Sequence, residues 1–274
     1  MGRKARPSGG ACIFCERTRK MSREHIFARW LHKYIAISPK PSRRFSRRIS
    51  GFDAAGMEQY SAFHGKLDRG GAHTRKLKIV CEECNNTWMS RIQNESKDAI
   101  LKIHRGQWDS ITAGDRHNLA TWATMFAMVV DFIQPDIVAI PQSERTKFYK
   151  LTKPSDKGIV WIAPYSARDL APEYDQIAIG VLDRSQRPPV LSEPIAQIVT
   201  VVMGGIIIHV CHTTAFPLWV RLNRDYSPHL NMLQIWPNFE GPSFRPEFTF
   251  KEGSVLELTK LTQTFVCGGQ QFPF

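Results

Sequence analysis

The stretch Cys81–Met89 reads C-E-E-C-N-N-T-W-M, and it has a counterpart near the start of the chain in Cys12–Cys15, which reads C-I-F-C. Each C-x-x-C turn can direct two thiolates at one tetrahedral metal centre, and two such turns complete a closed four-cysteine zinc site. The two pairs are separated by 65 residues, so the metal would tie remote segments together. The sequence therefore predicts a structural Zn2+ held by Cys12, Cys15, Cys81 and Cys84.

Cysteine usage and hydropathy indicate the compartment. Of the six cysteines, Cys211 and Cys267 are isolated and the other four lie in the two pairs. No charged-then-apolar export signal opens the chain, which favours zinc over disulfides and predicts a cytoplasmic location. The longest apolar stretch, 196–211, is interrupted by polar residues and is too short to span a bilayer. No membrane partner is therefore expected.

The segments around the cysteine pairs can be assigned from their periodicity. Residues 23–27 form an extended segment that carries Glu24 and His25, and residues 28–37 have apolar side chains at helical spacing. Residues 76–80 alternate as a strand and lead to Cys81. From Asn85 a helix is predicted that stops near Gly106, because one face of this segment is apolar.

Positive charge is concentrated in the first part of the chain. Residues 1–106 carry 23 Lys and Arg against 9 Asp and Glu, whereas residues 107–274 carry 14 against 16. An excess this uneven indicates a polyanionic partner, namely a nucleic acid. The densest run, 40–48, is rich in Pro and Ser and is predicted to be a flexible loop that orders on a phosphate backbone. The candidate nucleic-acid-binding residues are Arg43, Arg44, Arg47, Arg48, Arg75, Lys76 and Lys78.

Taken together, these segments resemble a ββα-metal finger of the HNH endonuclease superfamily, in its zinc-stapled, endonuclease VII-like form. That form has a C-x-x-C, an acidic-His pair, and a second C-x-x-C followed directly by Asn, which Glu24, His25 and Asn85 match here. Bacterial and phage HNH endonucleases with E-H-I-F/V-x-x-W-L and C-x-x-C-N-N-x-W-M are still more similar. The resemblance covers roughly residues 10–105.

The resemblance implies a metal-dependent endonuclease with His25, Glu24 and Asn85 as its catalytic residues. A neutral histidine can take a proton from water, and the oxygen ligands of Glu24 and Asn85 suit Mg2+ or Mn2+ better than zinc. Glu24 and His25 can converge only where the backbone departs from a regular strand. Double-stranded DNA is the expected substrate. The alternatives are an RNase toxin on the same finger, and a non-catalytic zinc module that binds nucleic acid or a protein partner.

The remainder of the chain predicts an α+β domain without a chemical motif. Helices are expected at 115–133 and 143–151. Strands of an antiparallel sheet are expected at 159–163, 176–182, 195–203, 205–212, 218–222, 233–235 and 255–258. The fold prediction is therefore a basic, zinc-bound HNH domain at 1–106 and an α+β domain at 107–274. The second domain is open to target recognition, a protein partner or homodimerisation.

Overall fold

The structure is a computed structural model that describes residues 10–34, 45–52, 58–66, 76–133, 138–166, 172–183, 190–191, 194–237, 248–251 and 253–266. Within these ranges, no helix is both long enough and apolar enough to cross a membrane. The predicted α+β class, with helices and a mainly antiparallel sheet, is confirmed. The HNH finger itself and the division at residue 106 remain predictions.

The first part of the chain contributes four strands and a helix that is interrupted by one wider turn. The strands are β1 (Glu24–His25), β2 (Phe45–Phe52), β3 (Glu58–Lys66) and β4 (Lys76–Leu77). A 3-10 turn spans Arg29–Lys33. Helix α1 (Glu82–Cys84) continues through a π-helical turn (Asn85–Met89) into α2 (Ser90–His104).

The second part alternates helices and strands. The helices are α3 (Ala113–Val130), α4 (Gln142–Leu151), α5 (Phe216–Arg221) and α6 (Ser254–Val266). The strands are β5 (Gly158–Pro164), β6 (Glu173–Asp183), β7 (Val190–Leu191), β8 (Ala196–Met203), β9 (Ile206–Thr213) and β10 (Leu233–Trp236). A capping box between Thr112 and Asp115 starts α3, as expected for the first turn of a helix.

Two sheets organise these elements. β1 and β4 form a small antiparallel pair next to the cysteines. The large sheet has the order β10-β5-β9-β8-β6-β2-β3, and β7 pairs with β6. All its pairs are antiparallel except β2 with β6, which run parallel. The hairpin β2–β3, which lies between the two cysteine pairs in sequence, is therefore part of the same sheet as the later strands.

Helices cover both faces of the large sheet, so its central strands are buried throughout. On one face, Val160 and Ile162 share a core with α2, α3 and the cysteine-bearing segments. On the other face, Ile159 and Trp161 share a core with α5 and α6. Strands covered on both faces are nearly continuous in apolar residues, as β8 and β9 are here.

An ion pair with no solvent exposure fixes helix α4, which contacts the first cysteine pair. Asp131 lies directly after α3 and accepts hydrogen bonds from the backbone amides of Ala139 and Ile140. Its carboxylate also accepts a 2.6 Å hydrogen bond from Arg145 of α4. Because removing one partner of such a pair leaves a buried charge, this contact strongly constrains where α4 lies.

Most predicted elements are confirmed, but four assignments were wrong. Residues 218–222 were predicted as a strand and lie in helix α5 and at the start of the π-helical turn Leu222–Tyr226 that follows it, and residues 255–258, also predicted as a strand, lie in α6. The expected helix at 28–37 is, within the described residues, only the 3-10 turn Arg29–Lys33. Half of the run predicted as a flexible loop, from Phe45 onward, is the strand β2, because its backbone pairs on both sides with β3 and β6.

Candidate metal centre

The four predicted thiols lie together. Their sulfur atoms are all within 4.8 Å of one another, and Cys15 Sγ is 3.7 Å from Cys81 Sγ. Four sulfurs placed about 2.3 Å from one tetrahedral zinc ion would be about 3.8 Å apart. The four cysteines are not joined by disulfides. The residues therefore fit a zinc ion, and the predicted four-cysteine cluster is confirmed.

Backbone pairing holds the two cysteine turns against each other. Ile13 N donates to Ile79 O at 3.0 Å, and Ser22 N donates to Val80 O at 2.8 Å. The amide of Cys84 lies 3.5 Å from Cys81 Sγ, which is the kind of N–H···S contact that stabilises a metal-bound thiolate. These contacts within the chain thus hold the two turns in the observed geometry.

The contact between Cys12 and Cys84 shifts the pKa values of the two thiols in opposite directions. The pKa of Cys12 is lowered to about 4, first by the thiol of Cys84 and then by backbone amides that hydrogen-bond its sulfur, against the effect of burial. The pKa of Cys84 is raised, first by the same contact with Cys12 and then by burial. A cluster in which one sulfur is a stabilised thiolate is a favourable starting point for binding a cation.

Aromatic packing connects the first cysteine turn to helix α4. The ring of Phe14 meets Trp88 edge-on at 4.9 Å and lies 6.3 Å from Phe148 of α4. Gln142 Nε2 donates to Ile13 O at 2.9 Å. The zinc-binding segment is thus packed into the main core and is not a separate appendage.

Glu24 is a buried carboxyl without a cationic partner among the described residues. It is 8% exposed, and its Oε1 accepts a 3.2 Å hydrogen bond from Gln93 Nε2 of α2. Burial raises the pKa of Glu24, while hydrogen bonds from the amides of Gln93 and Asn85 oppose the rise. Buried carboxylates are usually paired with a cation or bound to a metal, so this group fits a divalent cation as well.

Asn85 is brought to Glu24 by the start of the interrupted helix. Its backbone amide donates to Cys81 O at 3.0 Å, which fixes it directly against the second cysteine turn. Its side-chain Nδ2 donates to Ser22 Oγ at 2.9 Å. The structure therefore brings together two of the three predicted catalytic residues, Glu24 and Asn85.

His25 is adjacent to Glu24 in β1 but has different neighbours. It is half-buried, it pairs with Lys76 of β4, and its ring centre is 6.4 Å from that of His32. Its pKa is lowered by burial first, and then by the positive charges of Lys76, Arg29 and His32. The imidazole is therefore neutral near pH 7, as a general base must be.

Among the described residues, the four thiols form the only group of three or more His, Cys, Asp or Glu ligand atoms this close together. The second candidate centre has one carboxylate and neutral amides instead. Two contributors to it were missed in the sequence, Gln93 and Ser22. The sequence alone does not indicate a role for polar residues at these positions, because their approach to Glu24 and Asn85 depends on how α2 and the cysteine segments pack.

The predicted nucleic-acid-binding residues are only partly visible. Lys76 and Lys78 are exposed beside the second cysteine pair and form no ion pair within the described ranges. Arg47 and Arg48 lie on β2, where only the backbone pairing is described. Arg43, Arg44 and Arg75 lie outside the described residues.

Comparison of the chain with protein-family models, with curated proteins and with solved structures finds no match in any of the three. The interpretation of the centre therefore depends on the motif residues and on the contacts above. Those contacts fit a zinc ion at four thiols. They also bring the buried carboxyl of Glu24 against the amide of Asn85, with His25 next to Glu24 along β1.

Proposed function

We propose that the chain is a metal-dependent HNH-type endonuclease that hydrolyses phosphodiester bonds in double-stranded DNA. The observation that carries the proposal is the burial of Glu24 against Asn85, directly before His25 in β1, with no cationic partner in the described part of the chain. A short antiparallel pair, β1 with β4, followed by a helix further supports a ββα arrangement.

The zinc in this proposal is structural. Four cysteines close a tetrahedral site and leave no position for water or substrate. Its role is to fix the segments that carry Glu24, His25 and Asn85, because β1 and the helix after Cys81 both leave from the cysteine turns.

A second divalent cation, Mg2+ or Mn2+, would be held by Glu24 and Asn85. When bound, such an ion stabilises charge on the non-bridging and leaving oxygens of a phosphodiester. One carboxylate and one neutral amide oxygen make a hard, all-oxygen ligand set, which these two ions prefer. The burial of Glu24 excludes bulk water from one side of this centre.

His25 acts as the general base. Its neutral form accepts a proton from the attacking water, and burial first, then the surrounding positive charges, lower its pKa and favour that form. Lys76, which pairs with His25 across β1 and β4, is exposed and supplies a positive charge for the DNA backbone on the same side.

A plasmid-nicking assay tests the proposal directly. The protein should nick supercoiled DNA with Mg2+ or Mn2+ and lose this activity when the free divalent cation is removed. His25→Ala should abolish nicking while zinc content, thermal stability and DNA affinity stay close to those of the parent. His104→Ala, far along α2, is the matched control and should nick normally.

Full activity in His25→Ala would remove His25 from the mechanism. An absence of nicking by the parent with any of these metals would reject the DNase. Labelled RNA offered in competition with DNA distinguishes a ribonuclease on the same scaffold.

A non-catalytic zinc module is the second candidate, and one observation favours it. Side chains of successive strand residues point to opposite faces, and Glu24 and His25 have separate sets of neighbours. In that case the parent would bind DNA without cutting it under any metal condition, and Glu24→Gln would leave binding unchanged.

A further inference from the structure

A hydrogen bond connects helix α2 to the buried carboxyl of the second candidate centre. Gln93 Nε2 donates to Glu24 Oε1 at 3.2 Å. Gln93 is half-buried, whereas the next residue, Asn94, is exposed on the same helix. Of the two neighbouring amides, only Gln93 reaches the centre.

The π-helical turn explains how Gln93 and Asn85 both reach Glu24. In an uninterrupted α-helix, residues eight positions apart differ in direction by about 80°. A π-helical turn acts as the insertion of one residue, so the pair is related as if seven positions apart, and the difference falls to about 20°. The turn at Asn85–Met89 therefore places both amides on the face of the helix that meets β1.

Wide turns of this kind recur at functional sites, which agrees with a role for this turn in the second candidate centre. We propose that Gln93 is a positioning residue of the divalent-cation site, a role that rests on the function proposed above. Its amide holds Oε1 of Glu24 and so would limit the orientations in which the carboxylate can meet a cation. It fixes the ligand without being required for the chemistry itself.

A purely structural role for Gln93 would have a different signature. A residue that only compensates a buried carboxyl would change stability when replaced, and the cation affinity of the folded protein would not move. Partners that orient metal ligands instead change metal affinity, typically by about 10- to 100-fold. Cation affinity therefore separates the two roles.

The experiment uses full-length, zinc-loaded protein and Mn2+ as the probe. Mn2+ binding is measured by electron paramagnetic resonance, and the Mn2+ dependence of nicking is measured in parallel. Gln93→Met keeps the length of the side chain and removes the amide, and Asn94→Met is the matched control one residue away on the exposed face. Glu24→Gln defines complete loss of the ligand.

Gln93→Met should weaken Mn2+ binding about 10- to 100-fold. It should raise the Mn2+ concentration needed for half-maximal nicking by a similar factor, and the rate at saturating Mn2+ should recover to near that of the parent. Asn94→Met should change neither. Unchanged affinity in Gln93→Met, with affinity lost in Glu24→Gln, would overturn the role of Gln93 and leave the proposed function standing. Failure of the parent itself to bind Mn2+ would overturn both.

Discussion

Glu24→Gln should make the protein more stable and at the same time remove its response to divalent cations. The carboxyl is 8% exposed, and within the described residues its partners are neutral amides. A carboxylate in such a place opposes folding near pH 7, because burial disfavours its charge. Glutamine has the same shape, and its oxygen can still accept the hydrogen bond from Gln93.

The size of the stabilisation follows from removing the charge that burial disfavours. A single stabilising substitution commonly adds about 0.5–2 kcal/mol to the free energy of unfolding, and we expect Glu24→Gln to lie in this range. For a domain of this size each kcal/mol is about 2–4 °C in melting temperature, so a rise of a few degrees is expected. With Mn2+ at about one hundred times its dissociation constant, the parent gains about 3 kcal/mol and overtakes the variant.

Differential scanning calorimetry of both proteins, with and without Mn2+ and with zinc content checked, makes the comparison. Glu83→Gln is the control, because this acidic residue is half-exposed and pairs with Arg19. A lower melting temperature for Glu24→Gln in Mn2+-free buffer would mean that the carboxylate has a cationic partner within the chain. An equal response of both proteins to Mn2+ would show that Glu24 does not bind the ion.

Three other outcomes follow from the zinc site, the basic run and a buried histidine. Cys84→Ser should lower the zinc content from about one ion per chain to near zero, measured by elemental analysis, and should unfold the segment around residue 84. Cys211→Ser, at a buried cysteine outside the cluster, should keep the metal. Equal zinc content in both variants would refute the site. In the run 40–48, replacing four arginines by Gln should weaken DNA binding for all sequences: Arg43, Arg44, Arg47 and Arg48. The salt dependence of binding should flatten by up to about one unit of log–log slope for each phosphate that is no longer bound. An unchanged slope, measured by fluorescence anisotropy, would place the binding surface elsewhere. Burial lowers the pKa of His209 to about 3, so below pH 6.5 the unfolded chain takes up a proton that the folded chain does not. The contribution of this group to stability is fully present above pH 6.5, and the free energy of unfolding should fall by about 2 kcal/mol by pH 5. Urea titrations should find a smaller decrease in His209→Gln.

The zinc cluster could be predicted because each C-x-x-C fixes its own local geometry, so only the meeting of two turns had to be inferred. Long periodic elements were predictable for a similar reason. Helix α3 has a capping signal at Thr112 and a long apolar run, and β8 and β9 are mostly apolar stretches on either side of a Gly-Gly turn.

The secondary structure of short apolar runs was not predictable, since four or five residues fit both the helical and the strand period. Residues 255–258 read as a strand until Thr262 and Phe265, one and two turns further on, complete the buried face of α6. In α5 the cue was Pro217, which is favoured in the first turn of a helix.

Contacts that depend on tertiary structure were also out of reach. The run 40–48 has the composition of a loop, and pairing with β3 and β6 makes part of it a strand. Likewise, Gln93 meets Glu24 because of the π-helical turn, and the local preferences of the residues in that turn do not predict it.

The parallel pairing of β2 with β6 has a consequence for biosynthesis. β2 ends at residue 52 and leaves the ribosome long before β6, which begins at residue 173. The hairpin β2–β3 therefore has no partner along β2 on one side until β6 has been synthesised. A fragment that begins after residue 106 would present β6 as an open sheet edge, and such edges recruit other chains. We expect that fragment to aggregate during expression, while co-expression with residues 1–106 restores a soluble product.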